Sequence, residues 1–179
     1  MKVLGISGWS GSGKTVLITR LIPFLTARGL SVATIKHAHH AFDIDLPGKD
    51  SFEHRAAGAS EVIISSARRS AQVKELRGAP EPRLADLLRR LSPCDLVLVE
   101  GFKGEIHPKL EVFRSATGRP LLHPTDASIL AIASDRAVPD AGLPWAHIDD
   151  IDGIGALVME HARTAGEVLG RLERDGATQ

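Results

Sequence analysis

Short apolar runs alternate with segments of helical periodicity along most of this chain. Four short apolar runs predict strands, at residues 3–7, 31–35, 95–100 and 129–133, and the last two of these are expected to be buried. Between the first two runs, apolar residues recur at the spacing of one helix face from Thr15 to Ala27, and Gly29 ends that segment. This alternation predicts an α/β fold in which helices flank a mostly parallel β-sheet.

Two shorter segments predict an additional β-hairpin or edge-strand region. Residues 61–65 and 71–76 read as strands on either side of a turn. Residues 109–114 alternate in polarity, which is typical of a strand with one exposed face. Exposed edge strands pair readily with another chain, so the strands that contain Val73 and Val112 are the expected place where a sheet continues across two subunits.

Two further helices complete the predicted secondary structure. Residues 84–91 carry apolar positions at helical spacing, and residues 153–174 predict a final helix with a break near Gly166 or Gly170. The chain has no internal repeat and no long linker. Residues 1–179 are therefore predicted to form a single domain, in which residues 36–58 are an irregular functional insertion.

Composition excludes several classes of protein. The charges of the 22 basic and 22 acidic residues cancel, which argues against general nucleic-acid binding. Only 4% of residues are aromatic, so few side chains are available to stack on nucleic-acid bases. Cys94 is the one cysteine and cannot form an internal disulfide. No apolar run has the ~18 residues of a membrane span, and no targeting signal is recognisable. We therefore expect a cytoplasmic protein that binds neither nucleic acid nor a membrane.

One motif carries a specific chemistry. Residues 8–15 read G-W-S-G-S-G-K-T, a complete match to the phosphate-loop (P-loop) pattern G-x-x-x-x-G-K-[ST], between a predicted strand and a predicted helix. Such a loop wraps a phosphate with backbone N–H groups, while Lys14 adds positive charge and the Thr15 hydroxyl ligates Mg²⁺. The expected nucleotide contacts are Gly8, Gly11, Ser12, Gly13, Lys14, Thr15 and Val16. The alternative is a glycine-rich turn that only begins a helix.

A P-loop needs a second acidic group for magnesium, and residues 95–100 offer two. Glu100 lies at the carboxyl end of its predicted strand, where ligands of parallel sheets collect, and is the expected catalytic and metal-site partner of Lys14 and Thr15. Asp95 lies at the opposite end and suits capping. A solvated strand-end carboxylate is the alternative for Glu100. Lys103 and Lys109 follow closely and are candidates for holding a second anionic ligand.

Residues 36–51 form a second polar segment, which begins at the carboxyl end of a predicted strand. This placement makes it a candidate switch or substrate loop. Its histidines and aspartates suit a metal, but their spacing matches no closed metal site, so solvated polar groups or anion contacts are the other interpretation. Asp50 and Ser51 are also candidates for capping a short helix that runs to Ala57.

Four segments together resemble a known family. They are G-W-S-G-S-G-K-T, T-I-K-H-A-H-H-A-F-D-I-D-L-P-G-K-D-S, R-A-A-G-A and D-L-V-L-V-E-G-F-K. Their combination is similar to the molybdopterin-guanine dinucleotide biosynthesis adaptor family, the MobB proteins, over residues 1 to about 135. The resemblance implies a P-loop NTPase fold and a cytoplasmic, homodimeric protein that binds GTP and Mg²⁺ and has weak GTPase activity.

The resemblance also implies partners and residue roles. The protein would assist the molybdenum cofactor guanylyltransferase, which attaches GMP to molybdopterin. Glu100 would be the Walker B-type acid, and His37, Asp45, Lys49 and Asp50 would belong to the family's second loop, which serves as a substrate or switch loop.

Two features of the sequence depart from related P-loop proteins. Trp9 stands where many of them carry a signature lysine, and the guanine motif N-K-x-D is absent from the chain. Asp135, after a predicted buried strand, is the expected substitute acceptor for guanine, with a loop or cap aspartate as the alternative.

Two other functions compete with a GTP-binding adaptor. One is an ATP-dependent small-molecule kinase or ligase of the dethiobiotin synthetase type, and the other is an interaction module with a purely structural nucleotide.

Overall fold

The computed structural model describes residues 1–38 and 42–176. It separates into two compact units, one formed by Met1–His37 with Leu84–Gln179 and the other by Ala38–Arg83. His39 and His40, two of the candidate metal ligands in the second polar segment, lie outside the described residues.

The described residues contain nine strands and five α-helices. The strands are β1 (Lys2–Ser7), β2 (Val32–Lys36), β3 (Glu61–Ser65), β4 (Ser70–Lys74), β5 (Leu96–Glu100), β6 (Lys109–Phe113), β7 (Ile129–Ser134), β8 (Trp145–His147) and β9 (Arg163–Thr164). The helices are α1 (Lys14–Thr26), α2 (Asp50–Ala56), α3 (Leu84–Arg90), α4 (Ile151–His161) and α5 (Ala165–Gly176). None of these helices has the length and apolar character needed to cross a membrane.

The first unit is built on a seven-stranded sheet. Six strands run parallel in the order β2-β5-β1-β6-β7-β8, and β9 pairs antiparallel with β1. The predicted α/β fold with a mostly parallel sheet is therefore confirmed. Because parallel strands share one carboxyl edge, the loops that follow β1, β2, β5, β6 and β7 open toward the same end of the sheet.

Helices bury both faces of this sheet. Leu4 and Ile6 point to one face and pack with apolar residues of α1 and α4. Val3 points to the other face, where Leu88 of α3 and Leu172 of α5 cover it. Successive side chains of β1 thus pack into two separate core clusters, as expected for a strand that is buried on both sides.

The prediction of a half-exposed strand at residues 109–114 is wrong. β6 lies between β1 and β7 and is buried along its whole length, so Val112 cannot form the edge of a sheet. Its polar residues are buried with partners. The Glu111 carboxylate accepts backbone N–H bonds from Leu122 and His123. Lys109 bonds internally as well and is not free to hold a second anionic ligand.

The final helix is interrupted close to Gly166, as predicted, although a short strand and not the glycine itself makes the break. α4 ends at His161, and Ala162 takes an extended conformation with ψ 136°. Arg163 and Thr164 then pair with β1 before α5 begins. The break therefore comes before Gly166, because a main-chain pairing with the central sheet interrupts the helix.

The second unit consists of α2 and the predicted hairpin. β3 and β4 pair antiparallel from Glu61 opposite Lys74 to Ser65 opposite Ser70, which confirms that prediction. The proposed side-chain cap of α2 is wrong, since its N-cap residue is Lys49 and makes no side-chain cap bond. Ser51 instead donates to the Asp45 carboxylate at 2.8 Å.

Candidate functional site

The P-loop follows β1 directly and turns sharply at its first glycine. Gly8 has φ +146°, and a Cβ at this position would lie 2.5 Å from the Val112 carbonyl oxygen of β6. Only glycine fits such a close approach of two backbones. The loop is thereby held against the neighbouring strand before α1 begins at Lys14.

Lys14 curls back over the loop that precedes it. Its Nζ donates to the carbonyl oxygens of Gly8 at 3.1 Å and Trp9 at 2.9 Å. Burial and the neighbouring Lys103 ammonium hold the pKa of Lys14 below its ordinary value. The loop mouth is therefore electropositive, and an anion bound there favours the charged form of the lysine.

Thr15 and Glu100 are in direct contact at this end of the sheet. The Thr15 hydroxyl donates to Glu100 Oε1 at 3.0 Å, and Lys36 Nζ lies 3.5 Å from Glu100 Oε2. The Glu100 side chain is only 14% exposed, so it is not a freely solvated strand-end carboxylate. The structure therefore brings Lys14, Thr15 and Glu100 to one edge.

The donor set at this edge fits magnesium. A hydroxyl and a carboxylate are hard oxygen ligands, and Mg²⁺ bound with nucleotides takes its other ligands from phosphate and water. Among the described residues, no group of three His, Cys, Asp or Glu side chains is arranged to hold a metal ion. Thr15 and Glu100 would hold the metal together with the phosphate oxygens of a bound nucleotide.

Asp95 lies at the other end of β5 and has a structural role. It accepts hydrogen bonds from the Ser31 backbone N–H at 2.8 Å and the Ser31 hydroxyl at 2.6 Å. These bonds lower the pKa of the Asp95 carboxyl. Capping of the strand entry, the role expected for Asp95, is therefore confirmed.

The four residues predicted for a second loop divide between the two units. His37 belongs to the first unit, where its backbone N–H donates to the Glu100 carbonyl at 2.9 Å and its ring lies 4.8 Å from the Phe102 ring. Gly101 has φ +96°, and a Cβ there would lie 2.7 Å from the Cβ of His37. His37 therefore packs directly beside Glu100, the candidate magnesium ligand.

The other three second-loop residues are described within the second unit. Asp45 accepts from Ser51 and lies 3.5 Å from Arg55 Nε, while Lys49 and Asp50 begin α2. Arg55 also pairs with Asp43 and Glu75, both at 2.8 Å. Asp45 thus belongs to a charged network that ties the segment to the hairpin, and the substrate or switch role of these residues stays a prediction.

Asp135 follows β7 and orders the chain after β6. Its carboxylate oxygens accept from the Ser115 backbone N–H at 3.0 and 3.1 Å and from the Ser115 hydroxyl at 2.8 Å. These bonds hold the pKa of Asp135 below its ordinary value, although burial opposes them. Because a carboxylate has further lone pairs, the guanine contact stays a prediction.

Sequence reasoning missed two arginines near the P-loop. Arg114 Nε donates to the Ser12 carbonyl at 3.2 Å, and the Arg119 guanidinium lies 5.4 Å from the centre of the Trp9 ring. The carbonyl and N–H of a trans peptide point in opposite directions. Arg114 therefore orients the Ser12–Gly13 peptide of the loop. No local motif marks these arginines, since they follow a strand far along the chain.

Comparisons with known proteins identify the family of this chain. The family described as MobB: Molybdopterin guanine dinucleotide synthesis protein B matches residues 3–135. The molybdopterin-guanine dinucleotide biosynthesis adapter protein of Escherichia coli (strain K12) is 43% identical over 161 residues, which cover 88% of this chain and 91% of the relative. The protein of the same name from Haemophilus influenzae (strain ATCC 51907 / DSM 11121 / KW20 / Rd) is 43% identical over 136 residues, 74% of each chain.

A solved structure extends the similarity to the fold. The crystal structure of molybdopterin-guanine biosynthesis protein B (MobB) superposes with a TM-score of 0.70 and 30% identity, covering 88% of this chain and 98% of that chain. Sequence and fold therefore agree over most of the molecule. The chain belongs to the MobB family.

Proposed function

We propose that this protein binds GTP with Mg²⁺ at its P-loop and acts as an adapter in molybdopterin guanine dinucleotide synthesis. The observation that carries the nucleotide part is the contact between Thr15 and Glu100 beside Lys14, because a phosphate-binding lysine and two hard oxygen ligands meet there. The adapter part is supported by the names of the relatives.

Each residue of the site has a defined task in this proposal. The backbone N–H groups from Gly11 to Thr15 bind phosphate oxygens, and Lys14 leaves the Gly8 and Trp9 carbonyls to reach the phosphates. Thr15 and Glu100 hold Mg²⁺, which neutralises phosphate charge when it is bound.

Hydrolysis is expected to be slow. Phosphoryl transfer depends on charge stabilisation and on an oriented water molecule. Arg114 already donates to the loop's own Ser12 carbonyl, and His37 contacts Glu100 through its main chain. These contacts order the P-loop and Glu100, the carboxylate that would hold Mg²⁺, but they do not orient a water molecule for attack. We therefore propose nucleotide binding as the principal activity and weak GTPase activity as an accessory one.

Calorimetric titration with Mg²⁺·GTP and Mg²⁺·ATP tests the nucleotide part. Lys14→Ala is expected to weaken GTP binding by about 10- to 100-fold, the size expected for losing a hydrogen bond to a charged group. Lys2→Ala, at the opposite end of β1, is the matched control and is expected to bind normally. Equal affinity for ATP and GTP would overturn the guanine preference, and absence of binding to both would overturn the nucleotide function.

The adapter part needs a reconstituted assay. Purified guanylyltransferase, molybdopterin and GTP are incubated with and without this protein, and the dinucleotide formed is quantified. We expect more product with the wild-type protein and little stimulation by Lys14→Ala. Full stimulation by a Lys14→Ala protein that binds no nucleotide would support the interaction module. No effect of the wild-type protein would contradict the adapter role.

We also propose that the protein is a cytoplasmic homodimer, as the family resemblance implies. With Val112 in the centre of the sheet, the predicted contact strands reduce to the hairpin strand that contains Val73. Sedimentation equilibrium is expected to give twice the chain mass of 19.1 kDa. A monomeric mass at micromolar concentration would contradict this proposal.

A further inference from the structure

A cavity of about 440 Å³ opens beside the P-loop within the first unit. Residues 9–11 of the P-loop form one wall, and side chains from residues 114–119, which we call the arginine loop, form the other. Gly11 is the single member of the lining that is also a predicted nucleotide contact. The cavity therefore adjoins the nucleotide site without coinciding with it.

The arginine loop is fixed at both ends. Asp135 accepts three hydrogen bonds from Ser115 at its start. At its end, Trp9 Nε1 donates to the Pro120 carbonyl oxygen at 2.7 Å. The Thr117 hydroxyl also donates to the Arg114 carbonyl at 2.8 Å inside the loop. Arg114 and Arg119 are therefore held beside the cavity before any ligand arrives, which lowers the entropic cost of binding.

The cavity carries positive charge that no acidic side chain neutralises directly. Among the described residues, neither of the two lining arginines, Arg114 and Arg119, forms an ion pair with a carboxylate, and the same holds for Lys103, which lies near Trp9 outside the lining. Arg114 is bound to a carbonyl, while Arg119 and Lys103 lie 5.4 and 5.3 Å from the centre of the Trp9 ring. The Asp135 carboxylate interacts electrostatically with Arg114, and the hydrogen bonds that it accepts come from Ser115. The guanidinium groups thus keep donors for an anion.

The chemistry of the walls indicates the class of ligand. Paired guanidinium groups suit a phosphate, and the Trp9 indole offers a flat apolar surface for a ring system. The volume lies in the usual range of small-molecule pockets. A dinucleotide, the product named for the relatives, requires a phosphate-bearing partner for the nucleotide.

We propose that this cavity binds a phosphate monoester carried on a flat heteroaromatic ring, such as a pterin phosphate, beside the bound nucleotide. Arg119 and Arg114 donate to the phosphate, and Trp9 contacts the ring. This proposal rests on the proposed function, because it places the second ligand of that reaction next to the P-loop. The nucleoside part of GTP is the competing occupant, and the test separates the two.

The test titrates 6-hydroxymethylpterin monophosphate into protein saturated with Mg²⁺ and a non-hydrolysable GTP analogue, and follows pterin fluorescence. The phosphate-free pterin is the ligand control. We expect the phosphate to improve binding at least about 10-fold, and Arg119→Met to remove most of that gain, as for loss of a charge-assisted hydrogen bond. Arg119→Lys retains part of it, since it keeps the charge but not the planar fork.

Control variants separate site effects from general ones. Arg90→Met, an exposed arginine at the end of α3, is expected to change nothing. Trp9→Leu is expected to weaken the pterin and its phosphate alike. Arg119 is exposed, so its replacement is expected to leave thermal unfolding unchanged.

Three results would overturn this inference: equal binding of the two pterins, much tighter binding of the pterin phosphate to nucleotide-free protein than to protein saturated with the GTP analogue, or an Arg119→Met variant that loses affinity for the analogue alone. The last two would assign the cavity to the nucleotide. Failure of the proposed function is seen separately, as absence of analogue binding to the wild-type protein. The pterin titration without nucleotide then still tests the cavity.

Discussion

At the scale of single residues, the buried lysine in the middle of the sheet is the least expected feature. Lys109 is only 1% exposed, and its ammonium donates to Asp126 at 2.9 Å, to the Ser128 hydroxyl at 2.8 Å and to the Lys103 carbonyl at 3.1 Å. A buried charge is tolerated only with such partners. Lys109 thereby connects the segment after Glu100 to the turn before β7.

Removing this ammonium is expected to destabilise the protein. Lys109→Met leaves a partly buried carboxylate and two polar groups without their partner, so we expect a loss of about 2–4 kcal/mol in the free energy of unfolding. Urea denaturation measures this loss. In the background of Asp126→Asn the same substitution should cost clearly less, because no carboxylate is stranded. Equal losses in both backgrounds would show that the two side chains do not act as a pair.

His107 gives a pH dependence whose sign follows from burial. The residue is fully buried against Gly5, where an added Cβ would lie 2.4 Å from its Nε2. Burial, assisted by the Lys109 charge, lowers the pKa of His107 to about 4. Below its ordinary pKa of 6.5 the unfolded chain binds a proton that the folded chain does not. Stability is therefore complete above pH 6.5 and falls as the pH drops toward 4.

The measurement compares wild type with His107→Asn, which cannot ionise. Between pH 7 and pH 5 the wild type is expected to lose up to about 2 kcal/mol more of its unfolding free energy than the variant. Parallel profiles for wild type and His107→Asn would refute a neutral buried histidine.

At the scale of elements, the apolar patterns predicted most strands but not their surroundings. Strand β6 reads as half-exposed because Lys109 and Glu111 alternate with apolar residues, yet both polar side chains are buried with partners supplied by later segments. β8 and β9 have three and two residues, too short for a periodicity to show. β9 exists only because β1 is present to pair with it.

The start of α5 shows how a local signal acts once β9 has ended the preceding helix. The Thr164 hydroxyl and backbone N–H both donate to Glu167, at 2.7 and 2.9 Å, and Glu167 N donates back at 3.3 Å. Thr164→Ala removes this capping box, and we expect a loss of about 1 kcal/mol. Thermal unfolding of Thr164→Ala and Thr164→Ser tests the cap. Serine should retain most of the stability, and equal losses would contradict the capping role.

At the scale of the whole molecule, zero formal charge hides a local concentration of cations. Lys14, Lys103 and Arg114 lie around the P-loop, where Glu100 is the acidic side chain that contacts Thr15. The average over the chain therefore excludes a general polyanion binder but says nothing against a local phosphate site. Composition limited the class of partner, whereas geometry located the charge.

Ligand binding at that site is expected to stabilise the folded protein by mass action. Mg²⁺·GTP at 100 times its dissociation constant should add about 2.7 kcal/mol to the free energy of unfolding. Chemical denaturation with and without nucleotide measures the gain, and Lys14→Ala at the same concentrations should gain only about 0.4–1.4 kcal/mol, because its affinity is expected to be about 10- to 100-fold weaker. An equal gain in that variant would place the nucleotide elsewhere.

The sequence by itself determined the α/β class, the P-loop, its carboxylate partner and the hairpin. Each of these is encoded by neighbouring residues or by the spacing of apolar residues within one segment. Only the tertiary structure decided that β6 is central, that Lys109 is buried, and that Trp9 meets the chain 111 residues away at Pro120. Such contacts depend on strand order and on partners from distant segments. No local pattern encodes either of these, so the cavity beside the P-loop became visible only in the folded chain.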